Sequence, residues 1–369
     1  MKCYICTNEI NDKNETDEHI IINAIGGRLK SKKLLCSECN SDFGENADSA
    51  LAKQLNSLSN MLMVSRHRGA AQPIIGDDPK TGKKYYLEVG GEPKLFKPEI
   101  TKKKNGDNEE ISVTARTEKE LRQILSGLAK KQPKFDLDEA MKSAEWQNKK
   151  LTEPLHFQNT IGGKDVFRAV TKTAMNYYMY CGGNRSQIEY LISYIKGETE
   201  QDIVWMHYVD SLYPLAEDKC YHILYLIGNP KERILYCYVE FFSTHKYLVL
   251  LNKEYDGRDL KQEYYFDITD VKEESLKIEM NYDRKTLLGF FKDKDDKLFS
   301  RVKEAFDHSI QLGLKRQDDN RRGNILERAI QNSLGKYPEG IPITEKMRKE
   351  CVDEIVKDIL PYLIDRMEK

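Results

Sequence analysis

Residues 17–40 read DEHIIINAIGGRLKSKKLLCSECN, and the N-terminal fold turns on them. Ile20, Ile21 and Ile22 suit a strand, Gly26-Gly27 a turn, and the run Lys33-Leu34-Leu35-Cys36 a returning strand. After Cys39 the text NSDFGENADSALAKQL suits a helix. The order is strand, loop, strand, helix. Two polar residues, Glu18 and His19, enter the apolar run at its start. Cys36 and Cys39 form a Cys-x-x-Cys at its end, and a second pair, Cys3 and Cys6, lies upstream.

Two Cys-x-x-Cys knuckles can supply four thiolates to one tetrahedral Zn²⁺. Between them lie 29 residues (36 − 6 − 1), so a segment is inserted in what would otherwise be a small zinc ribbon. The other four cysteines, Cys181, Cys220, Cys237 and Cys351, are scattered and read as ordinary thiols. The N-terminal text MKCYICTNEINDKNE has no apolar core of a signal peptide, and no apolar run approaches the roughly 20 residues of a membrane span. A cytoplasmic protein with reduced or metal-bound thiols is the expectation.

The arrangement C-x-x-C, E-H-I-I, G-G, L-L-C-x-x-C-N resembles the HNH endonucleases, in the zinc-stapled subgroup with a ββα-metal core. The resemblance covers about the first 55 residues. It implies that His19 is the base that activates water. It implies that Glu18, where the family usually carries Asp, and Asn40, at the third motif position as in HNN-type members, hold a catalytic Mg²⁺ or Mn²⁺. Cys3, Cys6, Cys36 and Cys39 would hold structural zinc. The middle motif Asn would lie five positions before Cys36, where this chain has Ser31. Asp17 is the alternative carboxylate ligand, while Asp48, eight residues after Asn40, reads as a helix surface residue, with a supporting role at the site as the alternative. The residue types suit phosphodiester hydrolysis. Histidine takes protons near neutral pH, and a carboxylate with an amide oxygen makes a hard site for a divalent cation.

The formal net charge is −1, so any nucleic-acid surface must come from local clusters. Arg28, Lys30, Lys32 and Lys33 form such a cluster beside the Gly-Gly turn, and Arg66 and Arg68 form a second. DNA, taken as duplex, is the expected partner.

The fold class is read as α+β: an N-terminal zinc-bound ββα module, a larger mixed α/β region with an antiparallel sheet, and a helical C-terminus. With 369 residues, three regions are drawn, at 1–70, 71–280 and 281–369. Leu51, Leu55, Leu58 and Leu62 extend the module's helix, with Gly69 as its stop. Short strands such as KKYYLEV and ISVTAR follow, around an exposed tip TKKKNGDNEE. EKELRQILSGLAKKQ and FDLDEAMKSAEWQNKK read as helices. DVFRAVTKTAMNYYMYCGG reads as an amphipathic helix closed by Gly182-Gly183, and SQIEYLISYIKGE as a shorter one. IVWMHYV, CYHILYLIG, RILYCYVEFFS, KYLVLLN and YYFDI then give an antiparallel sheet of four or five strands. Amphipathic helices return from about Arg284, with Pro361 inside the last. The 300 residues after the module exceed what a nuclease scaffold needs. They are expected to regulate or target it, through an activating ligand, a protein partner or self-association, as in bacterial defence or mobile-element nucleases. The rival reading is a non-catalytic zinc-ribbon binding protein with a degenerate HNH core, for which Ser31 speaks.

Overall fold

A computed structural model describes the chain except residues 91–92, 106–107, 133–134, 146–150, 152, 210–211, 293–297 and 368–369. The middle of the loop tip and the end of the second helix in the 118–150 segment fall outside these described residues. The backbone divides into two compact units, Met1–Ala71 with Ile161–Lys369, and Gln72–Thr160. The stretch 71–280 drawn from the sequence contributes to both.

The N-terminal module holds two short strands, β1 (Glu18–His19) and β2 (Lys30–Ser31), paired antiparallel with Glu18 opposite Ser31. The isoleucine triplet follows β1 rather than forming it, and the chain after β2 reaches Cys36 without a further strand. The sequence places both strands a few residues too far along. The reason is visible in the burial: Ile20, Ile21, Leu34 and Leu35 are core anchors. They are apolar because they are enclosed, whether or not they pair.

Between the strands a single 3₁₀ turn, Asn23–Ile25, is closed by Gly26 at φ +89°. Gly27 meets a harder limit. A Cβ there would lie 1.8 Å from the Ile21 carbonyl oxygen, a backbone atom that cannot rotate away. Gly27→Ala is therefore expected to cost about 1–3 kcal/mol or more by overpacking. Urea unfolding would show it, and an unchanged midpoint would mean that the turn yields freely.

Helices α1 (Ser37–Glu45) and α2 (Ala47–Met61) replace the single helix read from the sequence. Asn46 breaks them, and its side-chain amide donates to the Asp42 carbonyl oxygen (2.9 Å). Leu51, Leu55, Leu58 and Leu62 are buried, as their spacing predicts. The helix stops at Met61, short of Gly69, where Met63 adopts φ +51°.

The second unit contains a three-stranded sheet, β3 (Ile74–Asp77), β4 (Lys84–Leu87) and β5 (Pro93–Leu95), and a hairpin, β6 (Glu99–Asn105) with β7 (Asn108–Thr114). Helices α3 (Glu118–Ala129) and α4 (Leu137–Lys142) follow. The Thr117 hydroxyl caps α3 by accepting from the Glu120 amide.

The first unit resumes with α5 (Lys164–Tyr180), which is buried along most of its length and packs on the sheet. The segment after Gly183 is two 3₁₀ turns and the four-residue α6 (Ile192–Ile195), not the helix its spacing suggests. The sheet is antiparallel and six-stranded. It comprises β8 (Val204–Met206), β9 (Tyr221–Asn229), β10 (Ile234–Phe241), β11 (His245–Asn252), β12 (Leu260–Asp267) and β13 (Lys272–Glu273), in the spatial order β13-β12-β9-β10-β11-β8. The two-residue edge strand β13 carries no sequence signal of its own. Strand β10 is buried at every position, which explains its apolar run from Ile234 to Val239; the buried Glu240 that follows accepts from the Tyr213 and Tyr238 hydroxyls. Helices α7 (Arg284–Phe290), α8 (Leu298–Leu334) and α9 (Glu345–Met367) complete the chain, and α9 continues past Pro361. One buried core runs from Cys3 through the sheet to Leu312. The N-terminal module thus shares its interior with the sheet.

Candidate functional site

The four knuckle cysteines converge. Their sulfurs all lie within 4.8 Å of one another, and Cys6 Sγ sits 3.7 Å from Cys36 Sγ. A tetrahedral zinc at about 2.3 Å from each sulfur sets the S···S edge at roughly 3.8 Å. The cluster therefore could hold a zinc ion. Tyr4 lies between the first two cysteines and turns its ring inward, where its hydroxyl donates to Asn176 Oδ1 (2.6 Å).

That hydroxyl begins a chain of contacts leading to the second feature, an open cleft of about 370 Å³. Asp17, Glu18, His19, Asn40, Asp48 and Arg68 all line it. Strand β1 supplies Glu18 and His19, Asp17 directly precedes it, α1 supplies Asn40 and α2 supplies Asp48. Glu18 is enclosed, and its Oε1 accepts from Lys172 Nζ (2.6 Å) and Asn176 Nδ2 (2.7 Å). Lys172 also donates to Asp48 Oδ2 (2.7 Å) and lies 5.4 Å from the Phe43 ring centre. Burial opposes the Lys172 charge, but the Asp48 and Glu18 carboxylates outweigh it and hold its pKa above the ordinary lysine value. Burial pushes the Glu18 carboxyl up, while Lys172 pulls against it.

Polar atoms of Glu18, Asn40 and His19 remain unengaged among the described residues. Among the described residues no donor reaches the second carboxylate oxygen of Glu18 or the side-chain oxygen of Asn40, whose amide nitrogen donates to Thr16 Oγ1 (3.0 Å). His19 Nε2 is enclosed without a hydrogen-bond partner. Burial, with His67 and Lys30 nearby, lowers the His19 pKa and favours the neutral ring. The His67 ring stands edge-on to it at 5.6 Å. A carboxylate oxygen and an amide oxygen on one cleft fit a hard divalent cation.

Not every predicted residue is poised for the cleft. Asp17 is tied to Lys30 (2.8 Å), and Glu15 to Lys32 (2.5 Å). Arg28 donates to the Ser65 carbonyl (3.2 Å) and hydroxyl (2.9 Å). Of the four basic residues in that loop, Lys33 alone has no charged or hydrogen-bonded side-chain partner among the described residues. The Ser31 hydroxyl accepts from the Lys33 amide (3.1 Å). A loop-bracing amide is supplied instead by Asn23, which accepts from the His67 amide (2.9 Å) and donates to the Arg68 carbonyl (3.4 Å). Three residues of the site lay beyond sequence reasoning. Asn23 belongs to no recognised motif position. Lys172 and Asn176 lie 154 and 158 residues from Glu18. Their one sequence signal is the i, i+4 pairing of two polar residues in an otherwise enclosed helix.

A family model described as HNH endonuclease matches residues 3–56. The matched stretch contains both knuckles, β1, β2, α1 and the start of α2. No curated protein and no solved structure matches the chain significantly. The match suggests nuclease activity and a nucleic-acid substrate. Among the described residues no helix is long and apolar enough to cross a membrane.

Proposed function

We propose that this chain is a metal-dependent HNH endonuclease of the HNN type that hydrolyses phosphodiester bonds of duplex DNA. The observation that carries the reading is the set of unengaged polar atoms of Glu18, His19 and Asn40 on one cleft, beside a four-thiol cluster. Glu18 and Asn40 would hold a Mg²⁺ or Mn²⁺ ion, which supplies charge stabilisation at the scissile phosphate when bound. His19, kept neutral by its surroundings, takes the proton from the attacking water. Lys172 and Asn176 orient Glu18 by engaging one of its oxygens. Arg68 lines the cleft and offers a guanidinium to the phosphate backbone. Arg28, Lys30, Lys32 and Lys33 lie on and beside strand β2, and the exposed ion pairs of Lys30 and Lys32 can exchange for DNA phosphates at little cost. The region after the module regulates or targets the nuclease. On its layout, an N-terminal nuclease module built into a larger α/β body, the chain is placed with bacterial defence or mobile-element nucleases of the cytoplasm.

His19→Ala in the full-length chain is expected to cut supercoiled plasmid about 10²–10⁴-fold more slowly in Mg²⁺ or Mn²⁺, with zinc content and unfolding midpoint unchanged. EDTA should stop the parent enzyme. A variant that cuts as fast as the parent removes His19 from the reaction. One observation favours a second reading, a non-catalytic nucleic-acid-binding module: the Lys172 ammonium already sits against Glu18 and Asp48. Tight DNA binding with no cleavage in either metal, by parent and variant alike, would select it.

A further inference from the structure

The exposed large apolar side chains are unevenly spread. Of the nineteen among the described residues, eleven fall between Phe299 and Ile364. Helices α8 and α9 form an antiparallel pair, pinned where the Tyr362 hydroxyl meets Asp318 and where the Tyr337 hydroxyl donates to Glu350 (3.0 Å). Ile325, Ala329 and Ser333 of α8 are buried, as are Met347 and Tyr362 of α9.

One residue beyond this inward row, on each helix, stands an exposed apolar one. On α8 these are Leu326 and Ile330, and on α9 Val352, Val356, Leu360 and Leu363. The spacing of four, four and three keeps the α9 residues on one stripe. One residue is a turn of 100° about the helix axis. Antiparallel helices turn in opposite senses when viewed from one end. Both stripes therefore emerge on the same side of the pair and form one apolar face.

We infer that this face pairs with the same face of a second copy of the chain, giving a four-helix contact about a two-fold axis. Two features of the surface select a second copy as the occupant. The first is area. Six side chains about half exposed offer on the order of 500 Å² of apolar surface, as large as the largest patch of a typical monomer, which is often a functional one. Two such faces with their charged borders reach the lower end of the roughly 1,200–2,000 Å² that stable complexes bury. The second is charge. Beside the stripe, Glu345, Lys349, Asp353 and Lys357 follow one another at a spacing of four, all exposed. Set against an antiparallel copy of itself, this row places Lys349 opposite Asp353 and Glu345 opposite Lys357, in both directions. It is complementary to itself.

Light scattering on the full chain tests this. The parent at micromolar concentration should show twice its mass of 42.9 kDa. Val356→Glu with Leu360→Glu should give a monomer that keeps the circular dichroism spectrum of the parent, because both positions are already exposed within the single chain. Lys349→Glu and Asp353→Lys should each weaken self-association at least about tenfold, through like charges at the two-fold contact. Mixing those two variants restores every opposite-charge pair and should recover the dimer. A parent of 42.9 kDa overturns the inference, whatever else the face then binds. So does a dimer that both charge variants leave as tight as in the parent.

Discussion

Cys36→Ser is expected to leave the purified chain without zinc and with its N-terminal module unfolded. The parent should carry about one zinc per chain, by metal analysis. The size of the effect follows from how little else organises these residues. The two strands are two residues long each, and α1 begins directly after Cys36, its N-cap. Structural zinc contributes about 10–16 kcal/mol in small zinc modules, as much as the whole net stability of a typical domain. Removing one thiolate forfeits most of that. Cys3 and Cys36 are also enclosed, with Tyr4, Ile5, Leu34 and Leu35 buried beside them, so the loss opens core as well as surface. Amide hydrogen exchange across residues 1–40 would locate the damage. A parent that carries no zinc yet protects those amides would remove zinc from the fold.

Lys172→Met is expected to destabilise the full chain by about 3–5 kcal/mol. The ammonium is the only cation bonded to Glu18 among the described residues, and it engages Asp48 as well. Methionine fills a similar volume but leaves two carboxylates together in an enclosed site. Desolvation and mutual repulsion then act on both. The loss should appear as a lower urea midpoint at neutral pH. Adding Glu18→Gln and Asp48→Asn to the same chain removes the stranded charges and should restore most of the midpoint. A shift below about 1 kcal/mol for Lys172→Met alone would show that the ammonium is not the keystone of this cluster.

The sequence made the knuckles, the turn and the leucine face of α2 legible, because each rests on local spacing that zinc, backbone strain or helical period enforces. It also exposed the sheet, since β9, β10 and β11 are largely apolar and buried, and β12 is apolar and buried in its second half. It misplaced β1 and β2 because Ile20, Ile21, Leu34 and Leu35 look alike whether paired or merely enclosed. It merged α1 with α2, since nothing in the helical spacing announces the Asn46 break. The candidate site was legible where it is contiguous: Glu18, His19 and Asn40 stand within a 23-residue stretch (40 − 18 + 1). The partners that hold Glu18 were not, because helix α5 meets β1 only through the folded core. The basic loop misled for a related reason. Charge is visible in sequence, but the carboxylates of Glu15 and Asp17 that neutralise half of it become neighbours only across the strand pair.

The contacts that run from Tyr4 through Asn176 to Glu18, and from Glu18 to Lys172, have a consequence for anyone wishing to move this module elsewhere. Residues 1–70 are not a transplantable cassette. Cut free, they would carry an uncompensated carboxylate pair and a bare apolar underside where α5 and the sheet belong. A chimera built on a different domain would need helix α5 grafted along with the knuckles. Conversely, the readiness of Glu18 is set by a helix rooted in the large sheet, so evolution could tune the cleft without altering a single residue inside it.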